Sequence, residues 1–419
     1  LSDPDSGLLP TADKISRLEP FKYRDFRLLW FGAMFSFFGS WIQSVAQGWL
    51  VFDLTRDEQK LVFVAFAGML PVSLVGPLAG ALVDRFDKRK TLIACQSIFG
   101  INALLLAYFI YSRQVEYWHI LVVAVLNGFA SALEMPTRQS LISSVVPKPV
   151  LSTAVPLQAL TFNLSRVMGP AIGGILLKSF GAFSCYLANG LSYLGLIIAV
   201  LVMRADLSAS KAEPQPIYDL LTEGLHYTFR EARLRMLFLM ETTVSVFGLA
   251  YIPLIPAFAE EVLRLGKDLG QIYVSIGVGS ISGLLTIIYI SQKPWKSVIV
   301  RLAMTSIGIA LVALSFAKTR EVAYPLFAVL GFSTVVQFNT TNTLFQLIAP
   351  PNLRGRALAM HIWALSGSAP IALPLFGWLA HQFSVGMAVL VGGTAVVLGA
   401  VIGWLSKTDL GHDPLTETG

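Results

Sequence analysis

Runs of about twenty residues with almost no charge recur along the whole chain, and that is the length needed to cross about 30 Å of hydrocarbon. Ile120 to Ala132 and Gly190 to Met203 form the apolar hearts of two of them. A backbone surrounded by lipid must satisfy its own hydrogen bonds, which leaves only helices or closed barrels. Barrel strands would alternate apolar and polar residues over about ten positions, and the sequence has no such alternation. The expected fold class is an all-α membrane protein of about twelve transmembrane helices. Composition agrees, with 55% of residues hydrophobic and only 13% charged, against about 25% charged in a soluble domain. Mean hydropathy is +0.67.

Charge orients the chain. With both termini cytoplasmic, roughly 21 of the 31 Lys and Arg fall on the inner side, as the positive-inside rule requires. Residues 1–27 are polar at first and lack the basic, apolar and small-residue succession of a cleaved signal; they read as a cytoplasmic tail and interfacial segment. The longest polar interval, 205–233, becomes amphipathic through Ile217, Leu220, Leu221, Leu225 and Phe229, the pattern of a linker ending in a helix that lies on the membrane. It separates six-helix bundles at 28–204 and 234–406, and 407–419 is a second cytoplasmic tail. The net charge of +6 follows from this topology, with no clustered soluble patch for nucleic acid. Cys95 and Cys185 sit inside apolar spans, as buried thiols do, so neither a disulfide nor a metal site is expected.

The two halves resemble each other. A shift of about 204 residues lays Met135 to Pro147 on Asn339 to Pro351, as diverged repeats in transporters do. Gly76 and Gly80 in the second span likewise match Gly279 and Gly283 in the eighth. Small residues four apart let helices approach closely. Tight packing and a part in movement both fit that spacing.

The second span ends in Gly80-Ala-Leu-Val-Asp84-Arg85-Phe-Asp87-Lys88-Arg89-Lys90, which resembles the loop signature of the major facilitator superfamily, with Asp87 in place of a glycine and Lys88 in place of an arginine. The resemblance implies a conformational latch: Asp84 against the positive end of a helix in the other half, with Arg85 and Arg89 holding neighbouring acidic groups. A carboxylate at a helix N-terminus is stabilised by about 0.3–1 kcal/mol. Further stretches, including Gly39 to Gln43, Pro136 to Gln139, Asn163 to Gly174 and Leu254 to Ala259, look like the enterobactin-exporter and macrolide-efflux branch. Gly169-Pro170 with Gly173-Gly174 is also similar to the motif of drug:proton antiporters, although Ser165 stands where the longer motif has glycine. Pro170 removes a backbone donor and the glycines remove bulk, so a kinked, closely packed hinge is expected there. Pro253, Pro256, Pro370 and Pro374 free further carbonyls at membrane depth.

Charges inside the spans are the costliest feature, at about 2.5–3.5 kcal/mol each on insertion scales. Glu134 and Arg138 stand one turn apart on one face and can pair; Arg166, on the next span, can share Glu134 or meet an anionic substrate. A proton-coupling centre and a permanent structural bridge are both compatible with this pattern. Glu241, shallow in the seventh span, fits either a second proton carrier or a carboxylate that snorkels to the cytoplasmic interface; His361 titrates in a suitable range and fits a packing residue equally. Gln43 and Gln47 in the first span, Asn163 in the fifth, and Gln337, Asn339, Asn342 and Gln346 along the tenth, with His361 and Trp363, are candidates for a cavity suited to an amphipathic substrate.

These features point to a proton-coupled exporter of a small amphipathic molecule, a siderophore or a drug, in the plasma or inner membrane of a bacterium. Its expected partners are that substrate, protons and the bilayer, and by resemblance it works as a monomer. A lipid or lysolipid transporter of the same fold, and a scaffold or sensor that has lost transport, are the alternatives. No phosphate-binding glycine loop, His-Glu-x-x-His or nucleophile elbow is present, so neither an enzyme nor a cofactor is expected.

Overall fold

The computed structural model describes residues 18–83, 86–205, 207, 225–290, 295–350, 353–406 and 408. Ten helical stretches among them are long and apolar enough to cross a bilayer. In the N-terminal half, α1 (Arg24–Thr55), α2 (Glu58–Val83), α3 (Lys88–Tyr111) and α4 (Tyr117–Val145) are followed by the continuous stretch Leu151–Val202. That stretch is two helices, α5 (151–180) and α6 (182–202), because Gly181 between them takes φ 78° and ψ 177°, a conformation that glycine enters without a steric penalty.

The C-terminal half contains α7 (Ala232–Thr243), α8 (Gly270–Ile290), α9 (Lys296–Ser315), α10 (Arg320–Ile348), α11 (Arg354–Ile362), α12 (Leu373–Gln382) and α13 (Val385–Leu405). Two of its expected spans are interrupted. After α7 the chain widens into a π-helical segment, Val244–Gly248, turns through 249–254, and re-forms as Ile255–Ala257 and a second π segment, Phe258–Val262. After α11 a π segment at Trp363–Gly367 and a 3-10 turn at Ala369–Ile371 precede α12. Such segments loosen the regular hydrogen-bond ladder and recur at functional bends.

The bends therefore lie in the C-terminal half. At Gly169, Pro170, Gly173 and Gly174, where a hinge is expected, α5 keeps helical dihedrals and the glycines serve packing. A side chain at Gly169 would stand 2.5 Å from Trp41 Cβ, and one at Gly173 2.9 Å from the Ile42 carbonyl oxygen, so α1 lies directly on α5. Corresponding glycines serve the two halves alike. Gly128 of α4 abuts the Gly68 carbonyl of α2, as Gly331 of α10 abuts the Ile276 carbonyl of α8. Gly279 and Gly283 of α8 meet the Ala328 and Phe332 carbonyls, while the side-chain surroundings of Gly76 and Gly80 lie outside the described residues. In the linker, Leu225 and Phe229 are exposed, and Ile217, Leu220 and Leu221 lie outside the described residues.

The halves meet at the end of the bundle opposite the chain termini, here called the distal end. Gly174 of α5 and Gly270 of α8 bring their backbones into contact, Gly48 packs on Pro256, and Gly377 on Gln59 and Val62. Between described residues, every ion pair joining the halves also lies there: Arg56 with Glu260 at 3.3 Å, Lys178 with Asp268 at 2.8 Å, and His381 with Glu58 at 3.3 Å and Asp57 at 3.7 Å.

Candidate functional site

Below that closure lies a central cavity of about 470 Å³. Its polar wall comes from the N-terminal half. Glu134 and Arg138 line it from α4, and both are buried, 8% and 4% exposed. Their one-turn spacing delivers the expected pair: Arg138 Nε donates to Glu134 Oε1 at 2.5 Å, and Nη2 donates to the same oxygen. Gln96 of α3 donates a third bond to Oε1 at 3.2 Å and accepts one from Ser36 of α1 at 3.1 Å. Glu134 Oε2 has no partner among the described residues and is the oxygen left to the cavity. Phe37 lies 4.3 Å below the guanidinium, a cation–π contact that holds the arginine against α1.

A second polar cluster continues this wall. Asn189 of α6 donates to Gln43 Oε1 at 2.7 Å and to Tyr193 Oη at 3.2 Å, and Tyr193 bonds Ser40 at 3.0 Å. Gln43 and Gln47 line the cavity as expected, beside Trp41, Phe99, Pro253, Pro256 and Tyr273. Sequence reasoning missed Ser36, Gln96, Asn189, Tyr193 and Tyr273. Gln96 and Asn189 carried a legible signal, an amide inside an otherwise apolar span; nothing in the spacing announced the others.

The remaining candidates stand elsewhere. Arg166 is half-buried, has no ion-pair partner among the described residues and does not line the cavity; the carboxylate it was expected to share is already saturated on Oε1. Asn163 donates to its own helix at the Ala159 carbonyl, 2.8 Å away. On α10, Asn339 bonds the Val335 carbonyl, Gln346 bonds Asn342 at 2.5 Å, and Gln337 is fully buried. None of these four residues lines the cavity, and neither do His361 and Trp363. His361 instead meets Glu241, Nδ1 to Oε2 at 2.7 Å, and Trp363 stacks on Phe238 with 5.8 Å between rings. In the latch motif, Asp84 and Arg85 lie outside the described residues. Arg89 donates to the Leu201, Met203 and Ala205 carbonyls at the end of α6, clasping backbone rather than an acidic side chain.

The distal closure is itself rich in carboxylates. Glu58, nearly buried, faces His381. Burial, the neighbouring Glu58 carboxyl and the charge of Glu260 push the Glu261 carboxyl up to about 8.

Two helical bundles clasped at one end around a polar-walled cavity are the architecture of a major facilitator transporter, and not of an enzyme. The solved nucleoside transporter NupG shares this fold, with a TM-score of 0.71 at 14% identity over 91% of this chain and 97% of that one. The chain belongs to the transmembrane secretion effector family, which it matches over residues 15–413. It is 24% identical over 364 residues to the staphyloferrin A transporter of Staphylococcus aureus, covering 86% of this chain and 91% of the relative. It is also 24% identical over 370 residues to the multidrug efflux pump Tap of Mycolicibacterium fortuitum, covering 84% and 88%. The protein is thus a multi-pass membrane transporter of that family.

Proposed function

We propose that the chain is a proton-coupled exporter of a small amphipathic molecule, a siderophore or a drug, working by alternating access. In this reading twelve spans form the bundles 28–204 and 234–406, joined by the linker 205–233. Both termini lie in the bacterial cytoplasm, and the monomer is the working unit. The distal end is then the outer face, so its closure leaves the cavity to be filled from inside, the first step of export.

One observation carries the proposal: Glu134 stands in the cavity wall with Oε1 saturated and Oε2 unengaged. A proton and the polar or cationic head of a substrate compete for Oε2, and binding of one releases the other. That competition is the elementary step of exchange. Arg138 and Gln96 fix the carboxylate while the occupant of Oε2 changes, and the rings of Phe37, Trp41, Phe99, Tyr193 and Tyr273 accept the apolar body of the substrate.

The test uses proteoliposomes loaded with a pH-sensitive dye and a panel of siderophores, antibiotics and lysolipids. Substrate-dependent proton movement is expected, reduced about tenfold or more in Glu134→Gln while substrate still binds. Substrate movement without protons, or lysolipid translocation as the sole activity, would displace this reading.

A further inference from the structure

The C-terminal half holds a second ionisable pair that the cavity does not use. Glu241 is 0% exposed and His361 3%, and neither lines the cavity. Glu241 stands in the last turn of α7 and His361 in the last turn of α11, each directly ahead of a π segment. The two segments are tied to one another, because Ser245 Oγ donates to the Leu365 carbonyl at 2.6 Å. The Phe345 ring covers the imidazole at 5.6 Å.

Nδ1 of His361 takes up Glu241 Oε2, but Oε1 is buried without any partner. A bare carboxylate oxygen in a dry interior is unfavourable, and a proton on it removes the charge that makes it so. Gln337 and Thr341, two turns and one turn before Phe345 on the same face of α10, also keep buried polar atoms without partners, as does Thr242. Among the described residues His361 is the one titratable group acting on Glu241. The nearest basic side chains of α7, Arg233 and Arg235, are engaged by Glu231 and the Phe229 carbonyl. The membrane-embedded parts of α10 and α13 bring no charge.

We infer that Glu241 Oε1 is a second proton-binding position, set at the paired breaks of α7 and α11 so that its protonation governs how those helices bend. The proton enters on Oε1 and leaves from it; His361 keeps its bond to Oε2 throughout and positions the carboxyl. The inference deepens the proton-coupled reading, yet it is tested where Glu134 cannot contribute.

Spin labels at Ser143→Cys on α4 and Ala232→Cys at the start of α7 report the distance between the halves at the terminal end, measured across a pH series in nanodiscs. In a background carrying both Glu134→Gln and Glu261→Gln the distance distribution is expected to keep a pH-dependent shift. Adding Glu241→Gln abolishes it, and the exchange Glu241→His with His361→Glu restores it. If Glu241→Gln fails to fold, His361→Gln serves instead and moves the midpoint by about one pH unit. A shift that persists unchanged without Glu241 and His361 overturns the inference, as does the loss of every pH response in that Glu134→Gln/Glu261→Gln background alone.

Discussion

Glu58 at the start of α2 bears on Glu261, behind the broken seventh span, carboxyl against carboxyl across the closed distal end. Two neighbouring carboxyl groups oppose each other's ionisation, so the pair favours keeping a proton on one of them. Closing the distal end is therefore expected to take up a proton from the medium.

The sign of the resulting pH dependence follows. When the end is closed, Glu261 holds its proton up to about pH 8; when water reaches it, the ordinary value is 4.5. The help that this proton gives to closure is complete below the lower value and is lost as pH rises through the upper one. Label distances across the distal end should shorten as pH falls through that window. Glu261→Gln, which cannot ionise, should flatten the response and leave the end closed at high pH.

Where Gly174 and Gly270 touch, there is no room for a side chain. Gly174→Leu should push α5 from α8 and disfavour the closed outer end by about 1–3 kcal/mol. A cysteine in place of Leu61, which lines the cavity just inside this contact, should then react with an impermeant maleimide from outside, and should resist it when Gly174 is intact. The native Cys95 and Cys185 are both buried.

Arg138 compensates the charge of Glu134 inside the bundle. Arg138→Met should lower stability by about 3–5 kcal/mol, because it strands a carboxylate. The double variant Glu134→Gln/Arg138→Met should recover most of that loss, as read by thermal unfolding in detergent. Equal destabilisation of the single and double variants would show that packing on Phe37, and not charge, is what the arginine supplies.

By contrast, the Arg56–Glu260 bridge joins side chains that are 54% and 34% exposed, where water screens the attraction. Arg56→Ala should change the unfolding free energy by less than about 1 kcal/mol. Its effect on closure should be small beside that of Gly174→Leu.

Much of this was legible in the sequence, for reasons that are local. Apolar run length gave the helices, and the one-turn spacing of Glu134 and Arg138 gave their pair. Gln43 and Gln47 were found because polar residues deep in an apolar span need a reason to be there. What could not be read was partnership across distance. The faces of α10 carrying Gln337 and Asn339 are polar, but sequence does not say whether a polar face looks into a cavity or into its own bundle. Arg166 and Glu134 are on adjacent spans, yet helix rotation sends them apart. His361 and Glu241 are separated by 120 positions, and only the packing of α11 on α7 joins them. The breaks after α7 and α11 begin ahead of Pro253 and Pro370, so proline marks their neighbourhood without fixing their start.

The polar wall of the cavity comes almost wholly from α1, α3, α4 and α6, while the interrupted helices belong to the other bundle. On the proposed reading, recognition of a polar head falls mainly to the first bundle and bending to the second, whose Ile252, Pro253 and Pro256 add an apolar edge to the cavity. Substitutions that retune which cargo is accepted can accumulate in the first bundle without touching the parts that bend in the second. A lineage built this way can diversify its cargo quickly, because each trial leaves the moving parts intact.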